Sequence, residues 1–438
     1  MKTYPVLICL CTAWISILSS CKGKEDKSVP SFTPPKYSGK VDLSAAPANI
    51  DVAEALDKST TPLKLSQIAS QIDYYIVGDG NYTITQAIAV PDSDAFITFN
   101  NPRIYYRKAG IPSKRYGFKA LVYKWNNDVN GHNLFYDKKT TRMYCALSGR
   151  DQNNKESLEL FDPQIGALPP LDTMLTIDRY IFPEILEEKY TVNLRNDKLL
   201  GFSSNGYMLS HYEDSCGIPT SMMTFNPAGE TLCKFDLKGK SSLSREQTDN
   251  IPFFQTSYWN DTQDRMTFMI PFCDTVYQLR DPQTVVPLYA INLGKHGIFA
   301  DYEVGKEIKD GKIWLRTLYE NPKGLFMGMY QKNGPKILSW LNFEYEYKPT
   351  LSYQAVYLKE EGKTYILPKR EKGFINDLDG GFTFWPDGQT DEYLYMILTL
   401  TEMRLNVKRT GSPQQQKLID MLDNKRIKEN QYVMIVVK

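Results

Sequence analysis

The chain has 438 residues, longer than an average domain but a normal size for one large β-domain. Its 52 Lys and Arg residues nearly balance 51 Asp and Glu residues, giving a net charge of +1. Nucleic-acid-binding domains usually carry a clear basic excess, so this balance argues against that class. With 42% apolar and 24% charged residues, the bulk of the chain is expected to fold.

The N-terminus has the pattern of a bacterial lipoprotein signal peptide. Lys2 supplies a positive charge, and the uncharged apolar run that ends at Leu18 is shorter than the about 20 residues of a membrane span. The run leads into Leu18-Ser19-Ser20-Cys21, which resembles a lipobox, where an apolar residue and two small residues precede the Cys that takes a diacylglycerol. We therefore expect residues 1–20 to be removed and Cys21 to be lipidated, so that acyl chains hold the mature protein to the membrane.

The residues after Cys21 suggest a cellular address and a tether. Lys24-Glu25-Asp26 resembles the surface-export tag of Bacteroidetes lipoproteins, which predicts an outer-membrane lipoprotein displayed at the cell surface. The alternative is a solvated start of the tether on an anchor that faces the periplasm. Scattered Pro, Ser, Thr and Lys residues predict that residues 21–62 form a flexible tether, with a first short strand at Ile50-Asp51-Val52 near its end.

Residues 63–438 are predicted to form one all-β domain, because short apolar or alternating runs are separated by clusters of Gly, Pro, Asn and Asp. This pattern is typical of a sandwich, a barrel or a propeller. The predicted strands are Ala95–Asn100, Ala120–Trp125, Arg142–Leu147, Leu158–Phe161, Tyr190–Leu194, Tyr207–His211, Ser221–Asn226, Thr231–Asp236, Arg265–Ile270, Asp274–Leu279, Leu288–Leu293, Lys312–Tyr319, Gly324–Tyr330, Ile337–Phe343, Ala355–Leu358, Thr364–Leu367 and Phe382–Trp385.

Two helical patches and a last strand complete the predicted elements. Leu65, Ile68, Ala69 and Ile72 have the spacing of a short amphipathic helix. Ser412-Pro413 predicts the start of a second helix near the C-terminus, with Pro at its first position. The β-prone run Tyr432–Val437 is apolar on both faces, which predicts a buried strand that closes the first or last blade of a propeller.

A degenerate repeat favours the propeller among the all-β folds. An aromatic residue at the end of a strand is followed by a polar turn with Gly and then by another strand, as in Phe161–Gly166, Phe225–Gly229, Tyr330–Gly334 and Tyr357–Gly362. Such hairpins are expected between the outer strands of each blade. Divided among six blades, residues 63–438 give about 63 residues per blade, which leaves room for loops.

Four segments resemble the six-bladed β-propeller lipoproteins of Bacteroidetes, much of which consists of domains of unknown function. In chain order they are Leu63–Tyr75, Phe272–Leu279, the Asn-Asp-x-Asp-Gly-Gly stretch within Gly373–Gly381 together with Phe384-Trp385-Pro386, and the ending Asn430–Lys438. The resemblance implies a six-bladed propeller with a short N-terminal helical turn and one C-terminal helix. The resemblance implies a fold and a cellular location, and it does not imply an activity.

The residue types that usually perform catalysis are sparse, so no catalytic, cofactor-binding or metal site is assigned. The His residues His132, His211 and His296 are far apart in sequence and lack a zinc-ligand spacing. Oxygen ligands crowd one stretch and suggest Ca²⁺, but the spacing is not that of a calcium loop, and Asx turns are the simpler interpretation. These ligands are Asn376, Asp377, Asp379, Asp387 and Asp391.

Cysteines and tryptophans leave alternatives open. Cys145, Cys216, Cys233 and Cys273 are either disulfide-bonded in an oxidising compartment or buried as thiols, and Cys216 with Cys233 is the best pair because they flank a predicted hairpin. The Trp residues either form blade cores or line a binding face for a sugar or peptide. They are Trp125, Trp259, Trp314, Trp340 and Trp385.

Three functions fit the sequence. The first is a binding or interaction module for a glycan, peptide or protein partner, attached to the membrane through the lipid and binding neither nucleic acid nor cofactor. The second is an envelope hydrolase or lyase with its site at the mouth of the propeller channel, by analogy of fold alone. The third is a structural subunit of an outer-membrane complex. Clustered ionisable residues at the channel mouth would favour the enzyme, and an aromatic strip the binding module.

Overall fold

The fold was analysed in a computed structural model of the chain. The structure describes residues 39–77, 86–90, 95–100, 103–108, 111–117, 130–137, 142–148, 157–161, 178–181, 199–202, 208–213, 219–225, 231–235, 258–262, 265–269, 274–298, 309–332, 352–370, 372–389, 393–425, 427 and 431–438. Between residues 86 and 269 it describes the backbone of the strands, and side chains only at 224, 232–235 and 267–269.

The first described elements run along the edges of sheets formed later in the chain. They are β1 (Lys40–Val41), β2 (Ala48–Asp51), the helix α1 (Val52–Asp57), a 3-10 turn at Leu65–Gln67 and β3 (Ile72–Val77). Helix α1 begins at Asp51, whose side chain accepts from the amide of Glu54, a normal N-cap.

The strands that follow are arranged in sheets, numbered I to VI in chain order, and most of these sheets have four strands. Sheet I is β4 (Gln86–Val90), β5 (Ala95–Asn100), β6 (Arg103–Lys108) and β7 (Ile111–Gly117). Sheet II is β8 (Asn130–Asp137), β9 (Arg142–Ser148), β10 (Ser157–Phe161) and β11 (Asp178–Ile181). Sheet III is β12 (Leu199–Phe202), β13 (Met208–Glu213), β14 (Pro219–Phe225) and β15 (Thr231–Phe235).

Sheets IV to VI complete the described β structure. Sheet IV is β16 (Tyr258–Thr262), β17 (Arg265–Met269), β18 (Thr275–Asp281) and β19 (Thr284–Asn292), with β1 and β2 added in parallel to the edge of β19. Sheet V is β20 (Ile313–Glu320), β21 (Gly324–Gln331), β22 (Tyr353–Leu358) and β23 (Lys363–Ile366). Sheet VI is β24 (Gly388–Gln389), β25 (Leu394–Thr399), β26 (Tyr432–Val437) and the early strand β3.

The fold is therefore mostly β, with few helices, as the sequence predicts. Helix α2 (Leu400–Asn406) follows β25 directly and is capped by Thr399 and Glu402. Helix α3 (Gln416–Asp423) follows a 3-10 turn at Pro413–Gln415, and a further 3-10 turn lies at Gly294–His296. Leu418 and Leu422 of α3 are buried, as its apolar face predicts.

The sheets succeed one another in a regular way. In each case the first strand of a sheet lies beside the first strand of the next: β4 beside β8, β8 beside β12, β12 beside β16, β16 beside β20, and β20 beside β24. We call these six the inner strands. Two described cores fill the spaces between sheets IV and V and between sheets V and VI.

The C-terminal strand β26 is the middle of sheet VI, with β25 on one side and β3 on the other. Val433, Ile435 and Val437 face the core shared with sheet V, while Tyr432, Met434 and Val436 belong to a separate apolar cluster on the opposite face. Both faces of β26 are buried, which its two-sided apolar pattern predicts.

Several predicted elements differ in the structure. The predicted strand Phe382–Trp385 is wrong: Phe384 makes only an isolated bridge with Phe374, because Gly380-Gly381 and Pro386 break the run on either side while its rings still fill the core. The helical spacing from Leu65 to Ile72 gives only the 3-10 turn, since Ile72 already starts β3. The predicted strands Ala120–Trp125, Tyr190–Leu194 and Ile337–Phe343 lie outside the described residues.

The second half of the predicted tether is packed against the sheets and is not an extended chain. Within residues 39–62, β1, β2 and α1 pack on sheets IV and V, and Ile50 and Val52 are fully buried. The alternation of apolar residues there is short and set among prolines, so composition alone suggested extended chain. The first half, residues 21–38, lies outside the described residues.

Candidate functional site

Strand β20 is placed where the inner strands meet. Within sheet V it bonds to β21 along one edge only, so its other edge is not covered by a strand of its own sheet. It lies beside β16 of sheet IV and β24 of sheet VI. Polar side chains on β20 can therefore reach the region bordered by the inner strands.

A β-bulge interrupts β20 at Arg316. Leu315 is opposite Met329 and Thr317 is opposite Gly328, so Arg316 is the extra residue on the β20 side of the ladder. Bulges re-aim side chains and are over-represented next to functional sites. The chain thus places a cation within a largely apolar inner strand.

The strand pairing defines which side chains share a face. Leu315 and Met329 pack in the core between sheets IV and V, so the residues that alternate with them, Trp314 and Tyr330, face sheet VI. The rings of Trp314 and Tyr330 are 5.8 Å apart between centroids. The guanidinium carbon of Arg316 lies 5.1 Å from the centre of the Tyr330 ring, which places Arg316 on the same face.

Burial affects the charge of Arg316. Removal from water lowers the pKa of its guanidinium from the ordinary value, and the nearby Tyr330 and Tyr319 partly offset the effect. An arginine remains protonated at any physiological pH. The site therefore contains a partly desolvated positive charge.

Three hydrogen-bond donors on β20 and β24 have no partner within the described residues. They are the indole Nε1 of Trp314, the hydroxyl of Thr317 and the side-chain Nε2 of Gln389 on β24, all buried. The other amide atom of Gln389, Oε1, accepts from the backbone amide of Glu320 at 2.5 Å. A buried donor without an acceptor costs roughly 1–3 kcal/mol, so a ligand that supplies acceptors would gain from binding here. We call Trp314, Arg316, Thr317, Tyr330 and Gln389 the inner-strand site.

The carboxylates next to this site are engaged in internal bonds. Oε1 of Glu320 accepts from the hydroxyl of Tyr289 at 2.8 Å and from Nζ of Lys359 at 2.6 Å. Oδ2 of Asp387 accepts from the amide of Ile397 at 2.8 Å. These two acids hold β20 and β25 to their neighbours.

The acidic stretch that suggested Ca²⁺ forms a closed hydrogen-bonded loop. Asn376 Oδ1 accepts from the amides of Leu378 and Asp379, and Asp379 Oδ1 accepts from the amide of Gly381 at 2.9 Å, which confirms the Asx-turn interpretation. The hydroxyl of Tyr74 on β3 donates to Asp379 Oδ2 at 2.7 Å. Across the described residues, no group of three or more His, Cys, Asp or Glu side chains is placed to hold a metal ion.

Gly381 is required by the packing of this loop. A Cβ there would lie 2.6 Å from the hydroxyl of Tyr74 and 2.9 Å from both Asn376 Nδ2 and Asp379 Oδ1. A side chain would therefore separate Tyr74 from Asp379. The Asn-Asp-x-Asp-Gly-Gly motif joins the late loop to the early strand β3.

The other residues considered from sequence are placed as follows. His296 contacts Asp57 at 2.9 Å on the surface, while only the backbone of His132 and His211 is described. Cys233 is buried in β15, and burial raises the pKa of its thiol; Cys216 and Cys273 lie outside the described residues. Trp314 and Trp385 are buried, Trp385 in the core between sheets V and VI; only the backbone of Trp259 is described, and Trp125 and Trp340 lie outside the described residues.

Sequence analysis missed Arg316, Thr317 and Gln389. The one available signal was a charged residue inside the apolar run Ile313–Leu318, but a bulge depends on the pairing of two strands and is not visible in one of them. Cys21, the predicted lipidation site, lies outside the described residues. None of the helices within those residues has the length and apolar character needed to cross a membrane.

The comparison with known proteins identifies the family. The chain belongs to the family described as a domain of unknown function (DUF4933), which matches residues 32–409. This result confirms the resemblance to domains of unknown function. No curated protein shows significant similarity to the chain.

Three solved structures are similar to the chain. One is a predicted exported protein from Bacteroides fragilis, with 11% identity, TM-score 0.49, and coverage of 90% of this chain and 100% of that one. A protein of unknown function from Bacteroides thetaiotaomicron has 10% identity, TM-score 0.33 and coverage of 70% and 63%. Virginiamycin B lyase from Staphylococcus aureus has 7% identity, TM-score 0.35 and coverage of 84% and 99%.

Proposed function

We propose that the protein is a cell-envelope lipoprotein whose β-domain is a six-bladed propeller acting as a binding or interaction module for a glycan, peptide or protein. In this proposal each sheet is one blade and the inner strands line a central channel. The succession of inner strands from β4 to β24 supports the ring. Sheet VI, in which β3 from the early chain completes the last sheet, supports its closure.

The proposed cellular location is based on the sequence alone. Cys21 would carry the lipid after removal of residues 1–20, and Lys24-Glu25-Asp26 would direct the outer-membrane lipoprotein to the cell surface; without that signal the anchor would face the periplasm. Cys21→Ser is expected to release the protein from the membrane fraction. A Cys21→Ser protein that still incorporates labelled lipid and sediments with membranes would refute the anchor.

One observation carries the binding function: the bulge at Arg316 places a partly buried cation beside the ring of Tyr330 on an inner strand, and the inner strands β20 and β24 also hold buried donors. Ligand sites are concave regions with a few convergent polar groups among apolar ones. Because Glu320 and Asp387 already accept internal hydrogen bonds, the geometry favours binding over acid–base catalysis by these carboxylates. A hydrolase or lyase remains the alternative function.

The test uses the mature lipoprotein solubilised in detergent. Glycan arrays and pull-downs from envelope extracts are expected to give a ligand that the wild type retains and that Trp314→Phe, which keeps a ring but removes the indole N–H, retains at least tenfold less. Arg409→Gln, on the exposed surface, serves as the control. If no ligand is retained, or if a retained glycan or peptide is cleaved, the binding proposal is wrong and the enzyme is favoured.

A further inference from the structure

The segment that leads into the folded domain is held differently from the N-terminal elements that follow it. We call residues Gly39–Asp42, which include β1, the latch. We propose that the latch docks on the outer strands of sheets III and IV and opens while the rest of the domain stays folded. Docking is a property of the domain alone, whereas its effect on the distance from the membrane rests on the proposed lipid anchor.

The latch joins two neighbouring sheets through polar contacts. The amide of Gly39 donates to the carbonyl of Lys234 in sheet III at 2.6 Å, and the amides of Lys40 and Asp42 donate to carbonyls of sheet IV at 2.8 Å each. The carboxylate of Asp42 pairs with the guanidinium of Arg280 on β18 at 2.8 Å. The side chain of Arg280 is 53% exposed, and ion pairs of such exposed groups contribute little to stability.

The latch lacks the apolar anchors that hold β2 and α1. Of its two residues paired with β19, Lys40 is exposed and Val41 is half-buried. Residues 43–46, which lead from the latch to β2, are all exposed. The core between sheets IV and V receives Ile50 and Val52, both fully buried, and its described members include no residue before Ile50. Because buried apolar surface provides most of the stability of a docked segment, the latch can separate from β19 while β2 and α1 stay in place.

Gly39 lies against the ring of Phe235 at the end of β15. A Cβ at residue 39 would overlap with atoms of this ring. The ring is fully buried, so it cannot turn aside without disturbing its own packing. A side chain at residue 39 therefore pushes the latch away from sheet III, while the buried contacts of Ile50 and Val52 remain as they are. This position provides a way to open the latch with a single methyl group.

Opening of the latch lengthens the chain between the domain and the lipid proposed at Cys21. The docked chain then begins at β2, and residues 39–47 are added to the tether. These nine residues extend over up to about 30 Å. Their conformational freedom favours the open latch and the polar contacts favour the closed one, so the two states differ little in free energy. The domain therefore has a short and a long reach from the membrane.

The experiment measures opening by cleavage of the detergent-solubilised mature protein with a lysine-specific protease. Cleavage after Lys40 is read from the mass of the fragment that begins at Val41, and its rate is divided by that of the same site in the unfolded chain. Gly39→Ala is expected to increase this ratio at least tenfold at an unchanged melting temperature. Cleavage after Lys58, at the end of α1, should be unchanged, and Ala45→Ser in the exposed loop should be cleaved like the wild type.

Two further measurements show whether opening is local. Cleavage of the wild type after Lys40 should rise less than threefold between 0 and 1 M urea, because a local opening exposes little surface. Arg280→Gln removes the ion pair outside the cleaved segment and should increase cleavage by about twofold to fivefold. The latch is refuted if Gly39→Ala is cleaved after Lys40 no faster than the wild type, or if cleavage of the wild type rises with urea as steeply as global unfolding.

A measurement on supported bilayers tests the effect on reach. Neutron reflectometry is expected to place the domain of Gly39→Ala farther from the lipid than that of the wild type. Equal distances in the two protein layers would overturn the lengthening of the tether. Failure of both proteins to form a layer would overturn the lipid anchor, and the protease measurements would still decide whether the latch opens.

Discussion

At the scale of single residues, Asp379 shows how this fold uses a buried acid. Its two carboxylate oxygens accept from Tyr74, Asn376 and the amide of Gly381, so the charge is surrounded by donors. Burial and the neighbouring carboxylate raise the pKa of the Tyr74 hydroxyl, which therefore stays protonated and keeps donating. The charge of Asp379, in a loop near the C-terminus, is thus stabilised by the hydroxyl of Tyr74 on β3, near the N-terminus.

Tyr74→Phe should destabilise the protein by roughly 1.5–3 kcal/mol, because a buried carboxylate loses a donor without gaining water. Urea unfolding at pH 7 measures this change. Tyr365→Phe is the matched control, since its hydroxyl bonds to Glu361 at the surface and its loss should be within about 0.5 kcal/mol. Equal effects of the two substitutions would show that the Tyr74–Asp379 contact does not stabilise the fold.

Asp377 gives a prediction about pH. Burial alone would raise its pKa, but the hydrogen bonds from the hydroxyl and amide of Ser66 lower it overall below the ordinary carboxyl value. A lowered folded pKa means that the stabilisation is present above the ordinary value of about 3.9 and is lost as pH falls through the folded pKa. Asp377→Asn should therefore cost about 1 kcal/mol at pH 7, since the group is largely exposed, and the cost should shrink as the pH falls through the lowered pKa.

Urea unfolding at pH 7, 5 and 2 measures the difference between wild type and Asp377→Asn. Ser66→Ala removes only the hydroxyl donor, so a smaller difference with the same pH dependence is expected. A difference that stays constant down to pH 2 would mean that the charge of Asp377 is not what stabilises this contact.

At the scale of elements, the N-terminal strands and α1 act as a strap across two sheets. β1 and β2 cover the edge of β19, while Ile50 and Val52 enter the core between sheets IV and V. Arg280 of sheet IV pairs with Asp42 of the strap at 2.8 Å. Covering an edge strand removes a site at which another chain could pair.

Ile50→Asp should destabilise the domain by at least about 3 kcal/mol, because it places an unpaired charge in a fully buried position. Leu43→Asp lies in the same segment at 73% exposure and should change the stability by less than about 0.5 kcal/mol. Denaturant midpoints of the two variants provide the comparison. A neutral Ile50→Asp would mean that the segment is a tether after all.

The sequence predicts elements where the apolar pattern is strong and local. β26, β21 and α3 lie where their patterns predict, and Gly362 provides the positive φ of 63° that the turn between β22 and β23 requires. The sequence does not predict β3 as a strand, because an amphipathic helical spacing leads into it. The inner-strand site depends on a bulge and on the contact of two sheets, and neither is encoded within one segment of the chain.

At the scale of the whole molecule, the proposed ring depends on β26. The strand bonds to β25 and to β3, with both faces buried. Without it, β3 would lose its described partner in sheet VI and two apolar faces would meet water. The integrity of the domain should therefore depend on its last residues.

Deletion of residues 431–438 should lower the melting temperature of the whole domain and increase the binding of a hydrophobic dye. Lys438→Gln, which changes only the final side chain, should melt like the wild type. Calorimetry and dye fluorescence measure both variants. A truncated protein with an unchanged melting temperature would contradict the closure of the ring by this strand.

The pairing of β3 with β26 also has a consequence for biosynthesis. Residues 77 and 432 pair although almost the entire chain separates them. The ribosome therefore synthesises β3 early, and β26 becomes available for pairing only when synthesis is nearly complete. At roughly 5–20 residues per second, that delay is on the order of 20 to 70 s. Throughout this time the edge of β3 is open to wrong partners, and such long-range pairings form slowly. A protein that is exported before it folds would avoid much of this exposure, because both ends of the chain would reach the folding compartment before sheet VI has to form.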